Sequence, residues 1–363
     1  MNIGIKSLSI SVSICDFTQN FITLRFGNRL KMKRVVIAIF ATLLLALFCQ
    51  GCTTEPRYVT VEGLMLGTTF RVVAKSELSQ ADIYAEAMRI DSLAKSSMSI
   101  FNTNSLISKI NASQTDVLDI HLLRNIAVAA KMNVLSEGMY DITVKPLTDA
   151  YGFAAKGKIE HPNVDSLLQF VGFDKFSVSG NRIVKHDSRL QLDLNSLAKG
   201  YTVDMLADRL EQLGCGDYIV EVGGEIRASG RNPKGVAWRI GVDTPFEGNQ
   251  SPGQYQQTVV HLGDKALATS GNYRRYYTDS EGNKVVHTIN PKTGRGVISS
   301  LLSATVVTTR CVEADAMATM FMAMGTDRAI ELAQRLKPEG VEVYFIIAEG
   351  EGYRTFSTLV NQE

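Results

Sequence analysis

The order of its periodic segments places this chain in the α+β class, as one layered domain. Three observations predict it. Windows of helical period gather in the first half of the body. Strand-like runs then follow one another with little helix between them. Neither a GxGxxG nor a GxxxxGK[ST] motif occurs, so neither a dinucleotide-binding doubly wound sheet nor a P-loop is supported.

Residues 68–74 alternate as a strand does, and over 80–97 the apolar residues Ile83, Ala87, Ile90 and Ala94 recur at helical spacing. A second helix is expected over 119–135, ending near Gly138, and a third over about 196–213. Asp193 and Asn195 stand before the third as cap candidates, and Gly214 stands at its end. Strands are expected at 218–222, 238–242, 258–262, 285–289 and 304–308. A Met- and Ala-rich helix over 313–324 stops at Gly325, and a short helix near 329–336 and a strand at 341–348 close the chain. No repeats or low-complexity linkers interrupt this order.

The N-terminal stretch reads differently. Met32-Lys33-Arg34 opens a basic region, and an almost unbroken apolar run, 35–48, follows. That run suits a signal-peptide core and is short for a bilayer span. It closes in Phe48-Cys49-Gln50-Gly51-Cys52, a small residue directly before a cysteine, as bacterial lipoprotein processing requires. Cys49 and Gln50 stand where an aliphatic and a small residue are usual. Two alternatives are an uncleaved membrane anchor and a buried N-terminal segment. The expected organisation is a leader and lipoprotein signal peptide over 1–51 with translation starting at Met32, lipidation of Cys52, a tether over 52–57 and an enzyme domain over 58–363. Two acyl chains give the stable anchoring that one does not, so the expected location is the extracytoplasmic side of the cytoplasmic membrane.

A formal net charge of +1 gives no electrostatic case for nucleic acid or an acidic membrane surface. Of five cysteines, only Cys215 and Cys311 lie in the body, where they form either one disulfide or, more commonly at such spacing, two buried thiols. No clustered Cys/His set makes a zinc case.

Four segments could carry chemistry. In Glu313-Ala314-Asp315-Ala316-Met317-Ala318-Thr319, a helix puts Asp315 and Thr319 on one face. A carboxylate and a hydroxyl are hard oxygen ligands of the kind magnesium takes, few in number, with phosphate and water completing its shell; equally, Asp315 could serve the helix dipole while Thr319 packs. Around Asp193, Asn195, Ser196 and Lys199, free backbone N–H groups and a lysine one turn into a helix make an anion site, and Asp193 could accept from a base edge or merely cap the helix. In the segment from Thr269-Ser270-Gly271 to Arg274-Arg275, small residues admit a close ligand and the arginines could hold phosphate. His287, before the Asn290-Pro291 turn, is either a general base or a surface histidine. Val222-Gly223-Gly224-Glu225 adds a permissive turn, weak as a ligand signal.

Taken in order, these segments resemble the ApbE family, the FAD:protein FMN transferases. The resemblance is carried by Leu66-Gly67-Thr68-Thr69-Phe70, Met98-Ser99-Ile100-Phe101, the run from Tyr140-Asp141 to Pro146-Leu147, the Asp193 to Asp204 segment, Val222-Gly223-Gly224, Thr269-Ser270-Gly271, His287 to Gly294, and Ala314-Asp315 to Thr319. It spans nearly everything from Tyr58 onward. It implies an ApbE-like (T-fold-like) domain of antiparallel or mixed sheets with packed helices. It also implies magnesium-dependent transfer of FMN from FAD to a Thr or Ser hydroxyl of a target protein, typically a subunit of a membrane redox complex, with release of AMP. An FAD pyrophosphatase yielding FMN and AMP is the alternative, and a non-catalytic flavin-binding lipoprotein a more distant one.

Position by position, the resemblance implies metal ligation by Asp315 and Thr319 and by Ser196, the last through its backbone carbonyl. It implies FAD contacts at Leu66, Phe101, Met139, Tyr140, Asp141, Asp193, Lys199 and Ile289. His287 is the candidate base, and Arg274 or Arg275 a charge clamp. Two departures stand out: the residue before the metal-binding Thr, an acid in some members, is Ala318, and the usual acid of the His-containing motif is Asn290, which cannot act as a base.

Overall fold

Eight strands hydrogen-bond side by side into one fully antiparallel sheet. The structure is a computed structural model and describes residues 57–154, 157–244, 256–272, 276–280, 282 and 284–360. Cys52, the residue expected to carry lipid, the segment expected to be a leader, and the arginine pair Arg274 and Arg275 lie outside the described residues. Among the described residues no helix is long and apolar enough to cross a membrane.

The chain opens with a hairpin, β1 (Arg57–Met65) and β2 (Thr68–Ser76); Arg57, expected in the tether, already pairs with Ser76. Helices follow: α1 (Gln80–Met98), α2 (Leu106–Asn111), α3 (Ile120–Leu135), α4 (Lys145–Ala150) and α5 (Val164–Leu168). A two-stranded ribbon, β3 (Phe176–Ser179) and β4 (Arg182–Lys185), leads to α6 (Ala198–Gln212). Then come β5 (Tyr218–Val222), β6 (Glu225–Ser229), the hairpin of β7 (Trp238–Asp243) and β8 (Gln256–Leu262), β9 (Lys265–Gly271), and the short pair β10 (Tyr276–Thr278) and β11 (Lys284–Val286). β12 (Leu301–Thr308), α7 (Cys311–Met324), α8 (Thr326–Leu336), β13 (Glu342–Glu349) and β14 (Gly352–Ser357) finish the fold. The order across the main sheet is β1-β2-β5-β6-β9-β12-β13-β14.

The α+β expectation is borne out, and its details follow from period. In the sheet, side chains alternate between faces. Phe70, Val72, Val220, Val222, Ala266 and Ala268 point to one face, under α1, α6 and α7. Val73, Ile226, Ala228, Leu267, Val307 and Ile346 point to the other and meet Trp238, Ile240, Val242, Val260 and Leu262 of the β7–β8 hairpin. The helix starts are chemically marked: Ser79 and Asp82 form a reciprocal capping box on α1, and Asp119 accepts from the Leu122 N–H on α3 at 2.8 Å.

Some boundaries differ from expectation, each for a physical reason. The strand expected at 285–289 ends at Val286, because the chain turns through Asn290, whose Oδ1 accepts from the Lys292 and Thr293 N–H groups at 2.8 and 3.2 Å. Asp193 does not cap α6: its Oδ1 accepts from the Asn195 N–H at 2.9 Å, a local Asx turn, and the N-cap residue is Leu197. Cys215 and Cys311 are both buried and free, so the two-thiol alternative holds.

The tightest crossing joins α6 to α7. A Cβ on Gly200 would lie 2.3 Å from the Cys311 carbonyl oxygen and 2.8 Å from the Asp315 Cβ, so only glycine allows this approach. One turn on, buried Asp204 accepts from the first two N–H groups of α7, Cys311 at 3.1 Å and Val312 at 3.0 Å. It caps in trans a helix whose own N-cap residue, Arg310, makes no side-chain cap. Arg227 from β6 and Arg310 neutralise it at 3.2 and 3.4 Å, and Arg310 also grips Asp208 with two bonds, 2.8 and 2.9 Å. Gly200→Ala is expected to cost about 3 kcal/mol, the upper part of the overpacking range, in urea unfolding monitored by far-UV circular dichroism.

Candidate active site

A cleft of about 920 Å³ opens at the end of the main sheet where β2 begins, β5 turns into β6 and β9 ends. That volume is typical of a site for a small molecule or cofactor. Five parts of the chain meet the sheet there. The 139–141 and 193–199 segments form one side and α7 the floor, while the 287–289 segment and the β7 residues Arg239 to Asp243 close the rest.

The floor follows from the crossing at Gly200. Gly200 lies in the first turn of α6, where N–H groups have no partner within the helix. Its N–H donates to Asp315 Oδ2 at 2.9 Å. The Ser196 hydroxyl is separately engaged with the Tyr140 hydroxyl at 2.7 Å. Asp315 is 3% exposed, and one turn further along α7 Thr319 faces the same cleft, its hydroxyl 3.2 Å from that of Ser270 on β9. The i, i+4 spacing has therefore put a carboxylate and a hydroxyl side by side.

Lys199 lies between two acids. Its ammonium pairs with Glu225 Oε1 and stands 3.9 Å from Asp315 Oδ1. Burial works against its charge, but Asp315 and Glu225 together overcome that and hold it protonated above the ordinary lysine range. Burial raises the Asp315 carboxyl, with Lys199 pulling it back, and pushes Glu225 up to about 8 against the same pull.

Asp193 is also buried and raised by burial, opposed by its bonds from the Asn195 N–H and from the Thr148 hydroxyl at 3.1 Å. Asp141, raised likewise by burial, accepts from the Thr143 N–H at 2.8 Å and hydroxyl at 2.6 Å. His287 is half-buried on the cleft wall, its ring edge-on to Phe153 with centroids 6.3 Å apart.

The structure thus brings Met139, Tyr140, Asp141, Asp193, Ser196, Lys199, His287, Ile289, Asp315 and Thr319 to one cleft. It does not bring Leu66 or Phe101 to the cleft wall. Leu66 sits in the left-handed region (φ 51°) in the β1–β2 turn, its N–H bonded to Asp91 Oδ1 at 2.8 Å, and Phe101 is 62% exposed beyond α1. Ala318 is fully buried in the core beneath α7. Asn290 shapes the turn described above.

Sequence reasoning missed the roles of Glu225, taken there only as the end of a glycine turn, and of Asp204, named there only as the end of one segment of the resemblance. One signal was available for Glu225. After a two-residue hairpin loop, the alternation of β6 sends residues 225 and 227 to the helix face, so both polar side chains there had to find charged partners.

The donor set fits a hard divalent cation. Among the described residues no group of three or more His, Cys, Asp and Glu side chains could hold a metal. What meets on the cleft floor is one buried carboxylate and one hydroxyl on adjacent turns of α7, hard oxygens few enough to leave room for phosphate and water around magnesium.

A model of the ApbE family matches residues 66–345. A protein named FAD:protein FMN transferase from Vibrio cholerae is 32% identical over 337 residues, covering 90% of this chain and 97% of the relative. One of the same name from Escherichia coli K12 is 31% identical over 343 residues, covering 87% and 94%. The solved flavin transferase ApbE from Vibrio cholerae superposes with a TM-score of 0.74 at 29% identity, over 83% of this chain and 97% of that one. The flavinyl transferase ApbE from Pseudomonas stutzeri, in its apo form, gives 0.74 at 28% identity, over 84% and 96%.

Proposed function

The chain belongs to the ApbE family, and from that premise we propose that it transfers FMN from FAD to a Thr or Ser hydroxyl of a target protein, with magnesium bound and AMP released. The observation that carries this reading is the convergence of Asp315, Thr319 and Lys199 on one floor of a cleft with room for a dinucleotide.

The acceptor hydroxyl attacks the FMN-side phosphorus of FAD in line. A new P–O bond forms there, the bond from that phosphorus to the bridging oxygen breaks, and AMP leaves with the electron pair. The hydroxyl proton passes to the His287 imidazole. Lys199, kept charged by its two acids, faces the negative charge that grows on the pyrophosphate. Asp193 and Asp141, fixed by their local hydrogen bonds, offer rigid polar edges to the ligand. Magnesium held by Asp315, Thr319 and the Ser196 carbonyl would neutralise pyrophosphate charge.

A lipid on Cys52 is part of the same proposal. It would hold the enzyme at the extracytoplasmic face of the cytoplasmic membrane, where acceptor subunits of membrane redox complexes would meet it at raised local concentration.

Four outcomes test the proposal. Incubation with FAD, magnesium and an acceptor protein, followed by in-gel flavin fluorescence, should label the acceptor. Free FMN and AMP without labelling would make the enzyme a pyrophosphatase instead. In that assay Asp315→Ala should abolish both labelling and its dependence on magnesium. His287→Ala should slow labelling about 10²–10⁴-fold while FAD binding, read by flavin fluorescence quenching, stays near wild type; unaltered labelling would remove His287 from the base role. Intact-mass analysis of the membrane-extracted protein should find a chain that begins at an acylated Cys52, and an unmodified N-terminus would remove the anchor.

A further inference from the structure

In the reaction as derived above Glu225 only helps to keep Lys199 charged, yet its placement is costly. The loop before it, Gly223-Gly224, takes left-handed φ values of 59° and 99°, and a Cβ at Gly223 would lie 2.7 Å from Thr68 Cγ2. This tight turn fixes Glu225 as the first residue of β6, aimed at the helix face and 3% exposed. Its Oε1 pairs with Lys199, and its Oε2 is buried with no hydrogen-bond partner among the described residues.

Lys199 and Asp315 alone would make a neutral pair, and no structural need calls for a second acid beside them. Buried ion pairs stabilise little against apolar substitutes, and an unpartnered buried oxygen is a direct cost. Two carboxyl groups instead face one ammonium, one more than it needs. The geometry is equally telling. Lys199 makes its close contact with Glu225 and stays 3.9 Å from Asp315 Oδ1, beyond hydrogen-bond distance. Asp315 Oδ2 is occupied by the Gly200 N–H, so Oδ1 is the oxygen left for a cation.

We propose that Glu225 is a positioning residue that draws the Lys199 ammonium away from Asp315 and so keeps Asp315 Oδ1 open to a divalent cation. The inference rests on the metal reading above. Without Glu225, the ammonium closes on Asp315 and competes with the cation for that oxygen.

The test is a Mn²⁺ titration of the flavin-free protein, followed by the electron paramagnetic resonance of free Mn²⁺, which needs no turnover. Glu225→Gln keeps the side-chain size and should weaken Mn²⁺ binding about tenfold, an effect of the size found between coupled neighbours. Lys199→Gln alone should bind Mn²⁺ as tightly as wild type or tighter, which tests the competition even where Glu225→Gln fails to fold. On the Lys199→Gln background, adding Glu225→Gln should shift binding less than about threefold. Unchanged affinity in Glu225→Gln, weakened affinity in Lys199→Gln, or equal shifts on both backgrounds would each overturn the proposal while leaving the metal site in place. Absence of Mn²⁺ binding by the wild type would remove the metal site and this inference together.

Discussion

The close crossing of α6 over α7 at Gly200 is the constraint on which the site depends. A residue without a side chain lets the Cys311 carbonyl approach, and the same approach turns the Gly200 N–H onto Asp315. That hydrogen bond holds the carboxylate, and Lys199, the residue next door, stands beside both acids. Two groups of the site thus depend on one backbone contact.

Charge secures the crossing where shape alone would not. Asp204 caps α7 from α6, and Arg227 and Arg310 offset its burial. Breaking one partner of such a buried set costs far more than the set contributes, because the remainder is left uncompensated. The network therefore works as a lock on geometry, holding the start of α7 where the turn carrying Asp315 must begin.

Much of this was legible in the sequence, and the limits are instructive. Ile83, Ala87, Ile90 and Ala94 all prove buried on one face of α1, because helical period reports burial directly. Asp315 and Thr319 could be paired from spacing alone, since both sit on one helix. Glu225 and Asp204 could not be, because their importance comes from partners on other elements: Lys199 and Arg227 lie 26 and 23 positions away in the chain. Asp193 looked like a cap because Asx turns and helix caps use the same residue types. The strand at 285–289 was overextended because Thr288 and Ile289 are β-formers, while the Asn290 turn decides where pairing stops.

The strand order has a consequence for how such an enzyme can diversify. Neighbours in the sheet follow one another along the chain, and each departure from the sheet returns to the adjoining strand. The segments between β2 and β5, β6 and β9, β9 and β12, and β12 and β13 each contribute to the cleft and leave the register of the frame untouched. The segments between β2 and β5 and between β12 and β13 carry the α6–α7 crossing and are bound to it. Those between β6 and β9 and between β9 and β12 carry no part of it, so they can lengthen, shorten or change composition while the floor of the cleft is inherited unaltered.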